Sequence, residues 1–183
     1  MATSAFDIAA ALRQELNVSG LVQLNKLLYY AQGWHLAWFD EPLFPEQIQA
    51  FKMGPVVAEV SRAERDEVEV ESDLTALDDR AWAVVRFVAS KYGRATGATL
   101  TRSSHNEPPW IDARNRAAVN NDEHSTEPIS PEAIRTYFKT REGQDQAWFW
   151  SRQWQDHVNE SLAELSQKPH HEAMSIDDFL ASL

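Results

Sequence analysis

The pattern of hydrophobic and polar positions predicts a mainly helical chain. Residues 4–16 carry apolar side chains at roughly helical spacing, and Ser4 with Asp7 has the spacing of a capping box. Residues 21–39 are apolar around most of the helix circumference, which is typical of a helix in the middle of a domain. We expect Ser19 to cap this central helix.

A small β-ribbon is predicted after the central helix. Residues 49–51 are expected to be extended, and Gly54-Pro55 ends this segment, with Gly54 in a conformation that glycine adopts most easily. Residues 62–73 are rich in charge and alternate Val68 and Val70 with acids. We expect this run to be a solvated loop or an exposed edge, and the ribbon to combine the Phe51 region with residues 68–70.

The remaining pattern predicts further helices. Thr75 and Asp78 form a second capping-box spacing, and Gly93 is expected to end the helix that follows. Ser130 before Pro131 is a strong start signal for a later helix. The other expected segments are a helix over residues 56–65, a short helix over residues 97–104, a break at residues 108–110, one further turn over residues 110–116, and a helix over residues 130–141.

The predicted fold class is mainly α, formally α+β because of the small ribbon. Residues 1–142 are expected to form a compact helical domain around the central helix. Residues 142–144 (EGQ) predict a boundary, and residues 143–183 an amphipathic helical extension.

The extension has a distinct composition. Its apolar side chains form one helical stripe after a Trp-rich start, and Pro169 separates this stripe from a short, separately capped helix at residues 175–183. From Asp145 onward it has two bases and seven acids, so its formal charge is 2 − 7 = −5. We expect this extension to bind a partner; the alternative is that it docks on its own domain. The predicted contact residues are Trp148, Phe149, Trp150, Trp154, Val158, Leu162, Leu165, Phe179, Leu180 and Leu183.

Composition narrows the class of protein. The chain has 183 residues, of which 43% are hydrophobic, and a formal net charge of −11. Such a charge argues against a general phosphate-binding surface and favours a basic partner. There are no cysteines, so disulfides and thiolate metal sites are excluded. No secretory signal or membrane span is visible, and we expect a cytoplasmic location.

Residues with catalytic potential do not form a recognisable constellation. His170-His171 lacks further metal ligands at suitable spacing. His35 is expected to be a core histidine with a satisfied hydrogen bond, and Lys26 a snorkelling or ion-paired side chain rather than a nucleophile. Ser103-Ser104-His105 and Asn106-Glu107 contain triad residue types, but adjacency in sequence is no evidence for a triad. We therefore predict no enzyme, no metal and no cofactor.

Five blocks of sequence carry a family resemblance. They are residues 24–35 (LNKLLYYAQGWH), 42–44 (PLF), 51–56 (FKMGPV), 100–110 (LTRSSHNEPPW) and 134–138 (IRTYF). In their residues and in their order along the chain they resemble the Panacea domain of SocA-like antitoxins, over roughly residues 6–141. Phe51 and Met53 depart from the family's usual residues, which are often Trp and an aromatic residue, but both positions remain apolar.

The resemblance implies an antitoxin, encoded beside a toxin and neutralising it by direct binding, with no catalytic residues carried over. The extension resembles the C-terminal toxin-binding segments of AbrB-like and Phd-like antitoxins, which have a similar Trp-rich helix and a similar Asp-Asp-Phe-Leu ending. We expect a basic toxin, for example a ribonuclease. The alternatives are an adaptor that delivers the toxin to a protease, a small hydrolase that uses His35 or His105, and a transcriptional autoregulator, which the acidic charge disfavours.

Overall fold

The computed structural model describes residues 3–149, and the side chains of residues 3–141. Within this part of the chain it confirms the predicted mainly helical fold with a small β-ribbon. The helices are α1 (Ala5–Glu15), α2 (Leu21–Phe39), α3 (Ala58–Arg65), α4 (Asp79–Tyr92), α5 (Gly97–Ser104), α6 (Pro108–Arg116) and α7 (Pro131–Phe149). The strands are β1 (Ile48–Phe51) and β2 (Gly54–Val57), and Leu74–Ala76 is a 3-10 turn.

The start of α1 confirms the predicted capping box. The Ser4 hydroxyl accepts the Asp7 N–H at 3.2 Å, and the Asp7 carboxylate accepts the Ser4 N–H at 2.8 Å. The second Asp7 oxygen accepts the Asp73 N–H at 2.7 Å. The cap therefore also holds the segment that leads into the 3-10 turn.

Helix α2 is the centre of the fold, as predicted. Every residue from position 23 to position 37 is buried, and the helix contacts α1, α4, α5 and β2. The predicted Ser19 cap is wrong, because Gly20 occupies the cap position at φ 114°. Ser19 instead donates its N–H (2.6 Å) and its hydroxyl (3.0 Å) to the Gln23 side chain.

The β-ribbon is formed by a different pair of segments from the predicted one. β1 pairs antiparallel with β2, with Ile48 opposite Val57 and Phe51 opposite Gly54. The prediction that residues 68–70 form the second strand is wrong, since they have no regular structure. The other part of that prediction, a solvated charged segment, is confirmed: Val68 is 57% exposed and Val70 is 41% exposed.

Two helix starts differ from the sequence prediction. Asp78 alone caps α4, by accepting the Ala81 N–H at 2.8 Å, while Thr75 lies in the 3-10 turn capped by Asp73. The prolines at positions 108 and 109 begin α6 rather than break the chain. Proline is tolerated there because the first helical N–H groups have no partner within the helix.

The last described helix is longer than predicted. α7 begins at Pro131, as predicted, and Ser130 accepts the Ala133 N–H at 3.0 Å. It does not end near Arg141 but continues through Gly143 to Phe149. Internal contacts divide the chain into the units Met1–Thr140 and Arg141–Leu183, and the packing described here is that of the first unit. A domain boundary between residues 142 and 143 stays a prediction.

Candidate functional site

Asn25 connects the central helix to the end of the ribbon. Its side-chain oxygen accepts the Val57 N–H at 2.9 Å, and its amide donates to Leu21 O and to the Ser61 hydroxyl, both at 2.9 Å. The residue is 2% exposed. Because Ser61 lies in α3, one buried amide fixes α2, β2 and α3 relative to one another.

Gln32 and His35 hold the segment that follows α2. The Gln32 oxygen accepts the N–H groups of Leu43 (2.8 Å) and Phe44 (3.2 Å), and its amide donates to Phe44 O at 3.1 Å. His35 Nδ1 lies 2.7 Å from Glu41 O. Since a carbonyl oxygen only accepts, Nδ1 carries the proton. Burial lowers the pKa of His35, and the bond to Glu41 opposes this shift. The predicted core histidine is confirmed.

Lys26 is buried beneath the ribbon. The residue is 1% exposed, and its ammonium nitrogen donates to Pro55 O at 3.0 Å. Burial lowers the pKa of Lys26 to about 7. The predicted snorkelling or ion-paired lysine is wrong, because the side chain does not reach solvent and its observed partner is a neutral carbonyl.

Gly54 makes room for this lysine. It has φ 96°, in the region that favours glycine, which confirms its predicted role. A Cβ at this position would lie 2.6 Å from Lys26 Cε and 2.7 Å from the Ser104 hydroxyl oxygen. The close approach of backbone and lysine therefore requires glycine here.

The ribbon backbone is held from three helices. Four of its carbonyl oxygens accept a hydrogen bond from a side chain of α2, α5 or α6. The pairs are Ala50 O with Arg114 Nη1 (3.1 Å), Phe51 O with Trp110 Nε1 (3.0 Å), Met53 O with the Thr101 hydroxyl (3.3 Å), and Pro55 O with Lys26 Nζ (3.0 Å). We call residues 51–54, which comprise the turn and the strand residue on each side of it, the hairpin tip. These bonds fix its backbone.

Arg114 extends this support to the loop after α6. The side chain is 1% exposed and donates to Asn120 O and, at 2.8 Å, to Glu123 O. The loop returns to the outer edge of β1, where Ala50 N–H donates to Glu127 O at 2.8 Å. Sequence reasoning missed Arg114, since its polarity and its position near a helix end are typical of a surface residue.

A buried carboxylate lies at the start of α6. Glu107 is 3% exposed and accepts the Tyr30 hydroxyl at 3.0 Å. The Tyr30 ring stacks on Tyr92, with centroids 4.1 Å apart, and the Trp34 indole donates to the Tyr92 hydroxyl at 3.1 Å. Burial, followed by the charge of Glu107, raises the pKa of Tyr29. From the sequence, Glu107 was noted only as a triad residue type, and its hydrogen bond to Tyr30 was not predicted.

The serine and histidine side chains at residues 103–105 do not form a nucleophile–base pair. Ser103 and Ser104 donate their hydroxyls to Thr99 O (3.2 Å) and Thr101 O (3.0 Å), within their own helix. The His105 ring stacks on Trp110, with centroids 4.1 Å apart. Burial lowers the pKa of His105, and Lys26 adds to this effect. The arrangement suits a rigid scaffold.

The predicted toxin-binding residues fall at and beyond the limit of the described part. Trp148 and Phe149 lie in α7, whose backbone is described there. The other eight lie outside the described residues: Trp150, Trp154, Val158, Leu162, Leu165, Phe179, Leu180 and Leu183. The His170-His171 pair also lies outside them.

Within the described residues, no group of three or more histidine, aspartate or glutamate side chains could hold a metal ion. No helix in the same part of the chain is long and apolar enough to cross a membrane.

Comparison with known families confirms the resemblance to the Panacea domain within residues 24–111. Residues 24–111 match the family model described as "Antitoxin SocA-like, Panacea domain". Searches of curated proteins and of solved structures found no match. The matched segment runs from Leu24 in α2 to Ile111 in α6, so it contains the ribbon and most of the side-chain hydrogen bonds that hold it. The matched family is an antitoxin domain rather than an enzyme family, and the match favours a toxin–antitoxin role.

Proposed function

We propose that this chain is an antitoxin that neutralises a cognate protein toxin by direct, stoichiometric binding in the cytoplasm. The observation that carries the proposal is the match of residues 24–111 to the SocA-like Panacea antitoxin domain. The described site supports it. Three polar side chains of α2 and α5 that could serve chemistry, those of Lys26, His35 and Ser104, are engaged in hydrogen bonds to backbone carbonyls.

The extension is the proposed principal contact. Its ten predicted residues, from Trp148 to Leu183, are large and apolar, and each such side chain moved from water to a partner contributes roughly 1.5–3 kcal/mol before ordering costs. Folding on binding subtracts roughly 2–5 kcal/mol or more. The formal charge of the extension, 2 − 7 = −5, favours encounter with a basic toxin such as a ribonuclease.

Helix α7 contains buried core residues and the first two predicted contact residues. Ile134 and Phe138 in its first half are buried, at 1% and 0% exposure. The same helix continues without a break to Trp148 and Phe149.

Co-expression tests the proposal. The gene adjacent to the one encoding this chain is expressed alone and together with it, and growth is measured. We expect expression of the adjacent gene alone to arrest growth, and co-expression of the full-length chain to restore growth fully. The purified proteins are then mixed without any protease. Inhibition of the toxin in this mixture supports direct neutralisation, whereas rescue that requires a cellular protease supports the adaptor.

A matched variant shows whether rescue needs the folded core. Gly54→Val places a side chain against Lys26 and Ser104 and should disrupt the ribbon. Val68→Ala removes little from an exposed, irregular segment and should leave rescue unchanged. If neither the wild-type chain nor the Val68→Ala variant restores growth, the proposed function is wrong.

A further inference from the structure

We propose that the hairpin tip is a second toxin-contact surface, at which Met53 and Lys52 enter an apolar pocket with an acidic rim on the toxin. The inference rests on the proposed function, because it assigns a further contact to the same partner. It adds a surface of the core to the contact residues predicted in the extension.

Met53 is an apolar side chain that the fold leaves uncovered. It is 50% exposed, although its neighbours Gly54 and Pro55 are buried. Lys52, which precedes it, is also exposed. A methionine can adapt its shape to an irregular pocket because it is unbranched and polarisable. An exposed methionine at the end of a turn is therefore suited to insertion into a partner.

Side chains from three helices hold the backbone around Met53 by hydrogen bonds. Met53 O accepts a hydrogen bond from the Thr101 hydroxyl. The carbonyl oxygens of Phe51 and Pro55, two residues away on each side, accept hydrogen bonds from Trp110 and Lys26. The hairpin tip is consequently presented in one conformation before any partner arrives, which reduces the ordering cost of binding.

Local charge identifies the chemistry of the partner. The chain contains 28 acids, yet residues 47–58 have Lys52 as their only charged residue and residues 97–106 have only Arg102. The bond from Thr101 to Met53 brings these two segments together, and Arg102 is exposed. Lys52 next to Met53, together with Arg102 on the adjoining helix, complements an apolar pocket flanked by carboxylates. These two bases are too few for a phosphate-binding surface, so a protein is favoured over a nucleic acid.

The test is a calorimetric titration of the full-length chain with the protein encoded by the adjacent gene. We expect Met53→Asp to weaken binding by about tenfold or more, as for a buried anchor residue, and Lys52→Glu to weaken it most at low salt. Val68→Asp is the matched control, because Val68 is 57% exposed and lies in a segment rich in acids. It should leave the dissociation constant within about twofold of the wild-type value.

The outcomes separate this inference from the proposed function. If the wild-type chain does not bind, both fail. If it binds and Met53→Asp behaves like Val68→Asp, only the hairpin contact is wrong. Tighter binding by Met53→Asp would show that the chain's own acidic extension covers the tip, and binding of a labelled oligonucleotide that Lys52→Glu abolishes would show a polyanion site. Either result overturns the inference.

Discussion

The ring of Phe138 lies where a side chain on Gly33 would stand. A Cβ built on Gly33 would be 2.4 Å from Phe138 Cε2 and 2.6 Å from two further ring atoms. Gly33 is in the middle of α2 and Phe138 is in α7. The absence of a side chain therefore lets α7 pack directly against the central helix.

This contact predicts that Gly33→Ala destabilises the protein. An overpacking cost of about 1–3 kcal/mol opposes a helix-propensity gain of about 1 kcal/mol, so the free energy of unfolding should fall by up to about 2 kcal/mol. Urea unfolding measures this change. Phe138→Leu in the same background should recover part of the loss, because a smaller side chain relieves the contact. Strictly additive effects of the two substitutions would contradict the account.

Lys26 predicts a pH dependence of stability. Burial lowers its pKa from 10.5 to about 7, so between these values the unfolded chain binds more protons at this residue than the folded chain. Lys26 therefore makes the free energy of unfolding rise with pH across this window, by about 1.4 kcal/mol per pH unit. The contribution is present in full above pH 10.5 and is lost as the pH falls to 7. Lys26→Met should remove this slope.

To check this prediction, the free energy of unfolding is measured at several pH values between 7 and 10 for the wild type and for Lys26→Met. The difference between the two proteins gives the contribution of Lys26. Lys52→Met is the control, since Lys52 is exposed on the hairpin tip and should keep the wild-type slope. Parallel stability curves for wild type and Lys26→Met would show that Lys26 does not titrate differently in the folded state.

Asn25→Ala should be strongly destabilising. The substitution removes three hydrogen bonds and leaves the buried Val57 N–H without its acceptor, which costs about 1–3 kcal/mol for that group alone. The exposed Asn106 also donates one amide bond, to Arg102 O at 2.9 Å, and Asn106→Ala should stay within about 0.5 kcal/mol of wild type. Equal effects of the two substitutions in chemical unfolding would refute the scaffold role of Asn25.

Local signals in the sequence predicted much of this fold. The Ser4 capping box, the Ser130-Pro131 helix start and the Gly93 stop are each confirmed, because they depend on neighbours within a few residues. The bounds of α5, Gly97–Ser104, agree with the predicted ones. The buried central helix is also confirmed, since its apolar residues occupy most of its circumference.

The strand that pairs with β1 was mispredicted because Gly54 and Pro55 are unusual in strands. Pro55 is tolerated here because its partner Ala50 directs both backbone groups elsewhere, the N–H to Glu127 O and the carbonyl to Arg114. No N–H is needed from Pro55 at this position. Such compensation depends on residues more than 50 positions away in the sequence and has no local signal.

The polar residues of the site were harder to interpret. A lysine in an apolar helix ordinarily extends its ammonium group to solvent, and only the approach of Gly54 and the carbonyl of Pro55 explain why Lys26 stays buried. Asn25 and Gln32 offered a usable signal, since polar side chains on a helix that is buried all round must find partners within the protein. Their partners could not be named without the structure.

The Trp-rich segment gives a prediction for the extension. Trp150→Ala together with Trp154→Ala should weaken binding of the toxin by several kcal/mol, as removal of aromatic anchors does at interfaces. Trp82→Ala is a suitable control, since Trp82 is a partly exposed tryptophan of α4 that also contacts Arg86. Calorimetry on the three proteins measures the effect, and unchanged affinity of the double variant would argue against the predicted contact set.

The most direct measurement compares the full-length chain with one that ends after Arg141, in a titration with the purified product of the adjacent gene and no protease. The shortened chain keeps Ile134 and Phe138, and we expect its circular dichroism to show a folded helical core. Our account predicts saturable binding and inhibition of the toxin by the full-length chain, and loss of inhibition by the shortened one. Full inhibition by the shortened chain, or no binding by either, would contradict it.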